Sequence, residues 1–330
     1  MIGRDRTLTI EQPLTLESGE QLERVTIGFR TWGQLNSDAS NAVLVCPALT
    51  GDRHVDTWWS GLFGPGRSLD PHTDFIVAAD VFGGSGATTG PDEAPSSASR
   101  FPDVSVRDMV RVQALLIDAL RIDRLKLVIG GSLGGMQALE WAVGSADRVE
   151  SAAIIAAPAR QSAWASALNH AQRRALDLHG DLDLARIIAM LSYRHWDNLE
   201  NRFGADSKSS QSAAQWLDFH GRRLTKRFNP VSYRRLMGAM DSHDVGRNRN
   251  GWRTALAATR VDTLVVGIKS DLLYPPRDQI ELAEALPLSR LAWLDASHGH
   301  DAFLIEQRRL DEIVSAFRRS TAFLQPALEA

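Results

Sequence analysis

Short apolar runs alternate with longer amphipathic stretches through the first half of the chain. The apolar runs are typical of buried strands and lie at residues 25–32, 42–46, 75–81, 125–130 and 149–157. Helices are predicted over 106–120 and 133–143. In the first of them the apolar residues from Met109 to Leu120 share one broad face, which only Gln113 interrupts. This alternation favours βαβ units and a mostly parallel sheet with right-handed connections.

The alternation stops after Ala157. Residues 160–255 contain no convincing strand, and helical spacing dominates there. The later predicted elements are two strands and two helices, at 263–268, 291–294, 279–286 and about 302–324. The pattern therefore predicts an α/β fold whose core comprises residues 1–158 and 256–330, interrupted by a helical insertion at 159–255.

The composition is that of an ordinary globular protein, with 44% hydrophobic and 23% charged residues. A net charge of −3 gives no support for a nucleic-acid or anionic-membrane partner. The amino-terminal segment lacks the apolar core of a signal peptide, and no stretch approaches the roughly 18 apolar residues of a membrane span, so a cytoplasmic location is expected. The single cysteine, Cys46, is expected to be a buried structural thiol, and the Pro- and Ser-rich segment 91–99 an ordinary loop.

The segment Gly130-Gly131-Ser132-Leu133-Gly134 fits the Gly-x-Ser-x-Gly pattern of a nucleophile elbow. It stands between a predicted strand and a predicted helix, which is the context that this motif requires. A sharp strand-to-helix turn strains the serine backbone and projects its hydroxyl, and the flanking glycines avoid Cβ collisions. A glycine-rich turn of this kind can also be purely structural. Because both flanks agree, the sequence favours Ser132 as a nucleophile.

A serine hydroxyl is a poor nucleophile at neutral pH, so Ser132 needs a base and an acid that orients the base. In α/β-hydrolase order, the acid and then the histidine follow the serine, at the carboxyl ends of later strands. Asp271 is preferred as the acid because it follows the strand 263–268. Asp262 precedes that strand and so lies at its wrong end, and Asp295 lacks an intervening αβ unit.

Of nine histidines, only His298 and His300 lie in the loop that follows the strand 291–294. His300 is the preferred base, and His298 is interpreted as a structural hydrogen-bonding residue. The negative charge of a tetrahedral intermediate needs preorganised donors. The backbone N–H of Leu133 is the first candidate, and the second is expected from the loop 47–51, with Leu49 preferred over Thr50.

Six segments, at residues 44–52, 58–66, 106–113, 130–137, 227–233 and 300–304, carry a resemblance that runs in order over most of the chain. Together they resemble the homoserine O-acetyltransferase family of methionine biosynthesis. The resemblance implies an α/β-hydrolase fold with a helical lid, and ping-pong transfer of an acyl group from acetyl-CoA to L-homoserine. It implies no bound cofactor, no metal and a possible homodimer, with small-molecule substrates as the partners.

The resemblance also implies a role for individual residues. Ser132 would take the acyl group, with the histidine and aspartate above as its base and orienting acid. Arg227 would bind the substrate carboxylate, Tyr233 would line the pocket and Asp301 would bind the ammonium group. A zwitterion is best fixed by one cation and one anion, and arginine binds a carboxylate bidentately. Without the resemblance, Arg227 would be interpreted as a solvated helix residue.

The chain departs from the family pattern in three places. Pro47 stands where histidine is usual, the loop 83–91 lacks a common cysteine, and the insertion is shorter around 177–183. Close relatives use succinyl-CoA, or serine in place of homoserine. Leu273 stands where succinyl users carry a basic residue, which favours acetyl. The alternatives are therefore a homoserine O-succinyltransferase, an L-serine O-acyltransferase, a serine esterase on the same fold and a non-catalytic scaffold.

Overall fold

The computed structural model describes residues 3–91, 101–205 and 209–322. Its strands, in chain order, are β1 Arg4–Ile10, β2 Leu14–Thr15, β3 Gln21–Leu22, β4 Val25–Trp32, β5 Ala42–Cys46, β6 Phe75–Ala79, β7 Leu127–Gly131, β8 Ser151–Ile155, β9 Asp262–Ile268 and β10 Ser289–Leu294. Eight of them form one sheet in the order β1-β4-β6-β5-β7-β8-β9-β10. The strands β1 and β6 pair antiparallel with β4, and the other five neighbouring pairs are parallel.

The helices, in chain order, are α1 Val55–Trp58, α2 Val106–Ala119, α3 Leu133–Gly144, α4 Ala163–His179, α5 Leu182–Tyr193, α6 Trp196–Phe203, α7 Ala213–Thr225, α8 Pro230–Asp241, α9 Trp252–Ala258, α10 Pro276–Ala285, α11 Ala302–Ile305 and α12 Gln307–Ala322. Side chains alternate across β5: Leu44 and Cys46 pack with the side chains of α2 and α3, whereas Val43 and Val45 pack with those of α12. Every residue of the central strands β5, β7 and β8 is buried, as expected when helices cover both faces of a parallel sheet. The predicted mostly parallel sheet flanked by helices is confirmed.

The chain between β8 and β9 contains α4 to α9. In the described part of this segment, the β structure is limited to an isolated bridge between Arg160 and Asp244. The helix α5 packs against α4 and α7, and it also contacts the 3₁₀ turn Gly299–Asp301 that follows β10. The helical segment therefore lies against the carboxyl end of the sheet, where Ser132, Asp271 and His300 are found.

Some elements differ from the sequence-based expectation. The strand β1 and the short β2–β3 hairpin were not predicted, because β1 is a largely exposed edge strand with few apolar residues. The predicted last helix is divided at Glu306 into α11 and α12, and its expected end at 324 lies outside the described residues. Most of the loop expected at 91–99 also lies outside them. No helix in the described ranges has the length and apolar character that a membrane span needs.

Candidate active site

Ser132 occupies the turn between β7 and α3. Its backbone has φ 57° and ψ −123°, a left-handed conformation that is strained for a residue with a side chain. Its N–H donates to the carbonyl oxygen of Ile155 at 2.9 Å, which fixes the turn against β8. A Cβ at Gly134 would collide with the carbonyl oxygen of Cys46, so only glycine lets the loop after β5 approach this closely. The turn has the geometry of a nucleophile elbow.

The structure brings Ser132, His300 and Asp271 together in one hydrogen-bond chain. His300 Nε2 lies 2.8 Å from Ser132 Oγ, and His300 Nδ1 lies 2.7 Å from Asp271 Oδ2. The other carboxylate oxygen, Oδ1, accepts the N–H groups of Leu273 at 2.8 Å and Tyr274 at 3.0 Å. The side chains of Ser132, His300 and Asp271 are all buried. The aspartate is therefore fixed by backbone donors on one side and holds the imidazole on the other.

Three aromatic rings surround His300, those of Tyr193, Tyr274 and Phe303, with centroids 5.4 to 5.6 Å from the imidazole. Burial lowers the pKa of His300, but the charge of Asp271 and the hydrogen bond to it oppose this effect, and the net pKa lies above its usual value. A buried imidazole with a raised pKa is a stronger base toward a neighbouring hydroxyl.

The residues weighed as alternatives lie elsewhere. Asp262 is at the amino end of β9 and pairs with Arg290 at 3.0 Å. Asp295 is exposed and pairs with Lys269 at 3.0 Å. His298 makes contacts of 3.0 Å with Asn198 and 3.2 Å with Glu306, which is a structural arrangement.

The loop after β5 lies beside the elbow, because Cys46 of β5 is in register with Gly130 of β7. Within it, the N–H of Gly51 donates to Ala48 O at 2.9 Å, which closes a turn around Leu49 and Thr50. Leu133 is the first residue of α3, so its N–H has no partner within the helix. The two expected donors of an oxyanion hole, Leu49 and Leu133, therefore lie in two adjoining turns.

Arg227 and Asp301 have different partners in the structure. Arg227 is exposed, donates to the carbonyl oxygen of Thr50 at 2.8 Å and lines a cavity of about 490 Å³ together with residues of the loop after β5. Asp301 follows His300 directly and lies in a contact ion pair with Arg194, with Nε 3.3 Å from Oδ2.

Tyr233 is placed differently from the expectation of a pocket-lining residue. It is completely buried, and its hydroxyl donates to Gln172 Oε1 at 2.7 Å. It does not line the cavity that Arg227 borders. Burial and the neighbouring Tyr193 raise its pKa well above the usual value. Its closest connection to the hydrogen-bond chain is Tyr193, whose ring packs on His300.

Comparison with known proteins places this geometry in a family. A family model described as the alpha/beta hydrolase fold matches residues 41–307. A homoserine O-acetyltransferase of Nostoc punctiforme is 42% identical over 329 residues, an alignment that covers 92% of this chain and 92% of the relative. The chain belongs to the homoserine O-acetyltransferase family. The predicted α/β-hydrolase fold and the resemblance are thus both confirmed.

Solved structures show how widely this fold is shared. The homoserine O-acetyltransferase of Staphylococcus aureus superposes with a TM-score of 0.86 at 26% identity, covering 100% of this chain and 98% of that one. An acetylester hydrolase of Corynebacterium glutamicum superposes with a TM-score of 0.85 at 25% identity, over 96% of each chain. The backbone fold alone therefore does not separate homoserine O-acetyltransferases from hydrolases.

The sequence interpretation missed two groups of residues that lie close to the site. One is a buried chain of hydrogen bonds that links α3, α2 and the loop after β5. Trp141 Nε1 donates to Gln113 Oε1 at 2.8 Å, Gln113 Nε2 donates to Gln137 Oε1 at 2.6 Å, and Gln137 Nε2 donates to Pro47 O at 3.1 Å. The only signal was the polar Gln113 on an apolar helix face. The other group, Tyr193 and Arg194, ends a helix far from His300 in sequence and gave no signal. Among residues 3–91, 101–205 and 209–322, no cluster of His, Cys, Asp or Glu could hold a metal ion.

Proposed function

We propose that this protein is a homoserine O-acetyltransferase, which transfers an acetyl group from acetyl-CoA to the side-chain hydroxyl of L-homoserine and releases CoA. The observation that carries the proposal is the continuous hydrogen-bond chain Asp271–His300–Ser132 in a member of this family. The substrates are small molecules, and no step needs a bound cofactor.

In the donor half-reaction, His300 Nε2 accepts the Ser132 proton while Oγ attacks the thioester carbonyl. The N–H groups of Leu133 and Leu49 stabilise the negative charge on the carbonyl oxygen, with Thr50 as the alternative to Leu49. The tetrahedral intermediate expels the CoA thiolate, which takes the proton from His300. An acetyl ester of Ser132 remains, and Asp271 stabilises the imidazolium throughout.

In the acceptor half-reaction, His300 accepts the proton of the homoserine hydroxyl, whose oxygen attacks the acetyl ester. Arg227 binds the acceptor carboxylate and Asp301 binds its ammonium group. The intermediate releases Ser132, which recovers its proton from His300. Tyr233 acts indirectly, through its interaction with Tyr193, whose ring packs on the imidazole.

The segment 159–255 is proposed to be a lid insertion, with 1–158 and 256–330 forming the core. Support comes from the helices α4 to α9, which lie between β8 and β9, and from the contact of α5 with the turn Gly299–Asp301. A lid that excludes water favours transfer to an amino acid over hydrolysis.

Acetyl is the proposed donor group because the side chain of Leu273, next to the orienting aspartate, is apolar and buried. A succinyl group carries a carboxylate that an apolar side chain cannot pair. The decisive experiment measures kcat/KM for each of the two donors, acetyl-CoA and succinyl-CoA, with each of the two acceptors, L-homoserine and L-serine. The highest kcat/KM is expected for acetyl-CoA with L-homoserine, and a higher value for any other pair would contradict the proposal.

A serine hydrolase is the second candidate, since acetylester hydrolases share the fold. The two functions differ in whether water or an amino-acid hydroxyl attacks the acetyl ester. Free thiol is therefore followed after acetyl-CoA is added with and without L-homoserine. The transferase reaction requires turnover to rise steeply with the acceptor, whereas fast release that homoserine leaves unchanged would identify a hydrolase.

A homodimer in the cytoplasm completes the proposal. Large apolar side chains are exposed on the helices of the insertion, namely Trp164, Leu178, Leu184, Leu191, Trp196 and Phe219. Large exposed apolar side chains concentrated in one segment make it the candidate for an association surface. Sedimentation equilibrium should give twice the chain mass of 36.3 kDa, and a monomer at micromolar concentration would refute the dimer.

A further inference from the structure

The corner between α5 and α6 packs directly on the loop that carries His300. Gly299 has φ 68°, and a Cβ on it would lie 2.6 Å from the His195 nitrogen and 2.7 Å from the Tyr193 carbonyl oxygen. From the same corner, Asn198 Nδ2 lies 3.0 Å from His298 Nδ1. The backbone of the helical insertion therefore packs directly against the backbone of the histidine loop. Arg194 is the charged residue at the centre of this corner.

Arg194 and Asp301 form an ion pair that is largely removed from solvent. Their side chains are only 11% and 13% exposed, and Nε lies 3.3 Å from Oδ2. On its other side, the Arg194 guanidinium lies over the Trp216 ring, 5.4 Å from the centroid. Two charges at low exposure interact more strongly than a surface pair, and removal of one leaves the other uncompensated.

The geometry of the pair leaves the carboxylate with unused accepting capacity. Arg194 Nε makes a charge contact with Asp301 but, in the described part of the chain, no hydrogen bond. A bidentate arginine–carboxylate pair would occupy both oxygens. Here Asp301 is oriented by a cation and can still accept a hydrogen bond from a second one, such as an ammonium group.

We propose that Arg194 is a positioning residue of the acceptor site, which holds the carboxylate of Asp301 in the orientation that binds the ammonium group of the incoming amino acid. This inference rests on the proposed function and deepens it. Arg194 contacts Asp301 and the Trp216 ring, so in this proposal it acts through Asp301 rather than on the acyl group or the attacking hydroxyl. Its effect should therefore depend on whether the acceptor has an ammonium group.

The test compares L-homoserine with 4-hydroxybutanoate, which has the same hydroxyl and carboxylate but no ammonium group. Each acceptor is added to the acetyl-enzyme formed from acetyl-CoA, and transfer is followed for wild type, Arg194→Gln and Arg194→Lys. In Arg194→Gln, kcat/KM for homoserine should fall roughly ten- to a hundredfold, which is the usual effect of losing a hydrogen bond to a charged group, here the bond between the ammonium group and Asp301. The kcat/KM for 4-hydroxybutanoate should change little. Arg194→Lys restores the positive charge and should recover part of the preference.

Arg202→Gln is the matched control. Arg202 also lies over the Trp216 ring, at 5.6 Å, but it is exposed, so solvent screens its charge. This variant should keep the wild-type preference for homoserine. The burst of CoA release before acceptor is added counts the folded active sites in every variant, so that a folding defect does not imitate a loss of affinity.

Equal losses with both acceptors would overturn the inference, because they would show that Arg194 only ties the corner to the histidine loop. An Arg194→Gln variant that keeps the full preference would overturn it as well. If wild type transfers acetyl to neither acceptor, the proposed function itself fails. The two failures are therefore distinguished by the wild-type measurement.

Discussion

Replacing Asp271 by asparagine should disable His300 through a single exchanged atom. In the native protein, Oδ1 accepts the N–H groups of Leu273 and Tyr274, and Oδ2 faces His300 Nδ1. The asparagine oxygen should take the position between the two backbone donors. Its NH₂ group then donates to Nδ1, so the imidazole must carry its proton on Nε2. That proton points at Ser132 Oγ, and the imidazole can no longer accept the serine proton.

The backbone donors determine how completely this happens. Turning the amide round would sacrifice two hydrogen bonds of about 1 kcal/mol each and set NH₂ against two N–H groups. A difference of about 2 kcal/mol or more keeps the inactive orientation in large excess. The same substitution in the Ser-His-Asp template of serine proteases lowers kcat about 10⁴-fold through the wrong tautomer. The orientation preference accounts for about thirtyfold of the loss, and removal of the Asp271 charge that stabilises the imidazolium adds to it. We therefore expect a total loss of roughly 10³- to 10⁴-fold, or about 4 to 5.5 kcal/mol in the barrier.

The assay is the single-turnover rate of CoA release from acetyl-CoA without acceptor, which reports only the donor half-reaction. Asp295→Asn is the matched control, since Asp295 makes the same chemical change possible near His300 in sequence but is exposed and paired with Lys269. It should leave the rate within a factor of about two, as is usual for a surface ion pair. A loss below about tenfold in Asp271→Asn would refute the orientation argument.

Four further predictions concern the same site. Ser132→Ala should abolish the burst of CoA release, and an unchanged burst would remove Ser132 from the mechanism. Asp301→Ala should impair transfer to homoserine while leaving the burst largely intact, and loss of both would point to a structural role. Because His300 must be neutral to accept a proton and its pKa is raised, activity should fall as the pH drops through a midpoint above that of a free histidine, and Asp271→Asn should lower that midpoint. Gly134→Ala should destabilise the protein by at least about 2 kcal/mol in urea unfolding, since its Cβ would collide with the Cys46 carbonyl oxygen, and a change below about 0.5 kcal/mol would contradict this steric argument.

Much of the fold follows from local patterns in the sequence. The predicted strands 25–32 and 42–46 coincide with β4 and β5, and the helices 106–120 and 133–143 differ from α2 and α3 by a single residue each. These elements are buried on at least one face, so their side chains must be apolar in the period of the element. The strand β1 escaped prediction because an exposed edge strand has no such requirement. Its pairing with β4 is made by backbone groups, which the sequence does not reveal.

The residues of the site likewise fall into those that the sequence could predict and those that only the tertiary structure revealed. The elbow at Ser132 could be predicted because a sharp turn between a strand and a helix needs glycines at fixed spacing, and Asp271 and His300 because they follow strands whose carboxyl ends share one edge of the sheet. Only the tertiary structure showed that Gln113 joins a buried polar chain beneath the loop after β5. A single glutamine on an apolar face does not identify its partners, since hydrogen bonds between distant segments leave no periodic trace.

The sequence by itself located the serine, aspartate and histidine that the fold brings into one hydrogen-bond chain, and it indicated the family to which the chain belongs. The tertiary structure decided that Tyr233 is buried behind the site rather than on the cavity wall, and that Arg194 lies against Asp301. The physical reason is the range of the interactions. Strain at a turn and burial of a strand act on neighbouring residues, whereas an ion pair between the helical insertion and the histidine loop forms only when the whole chain has folded.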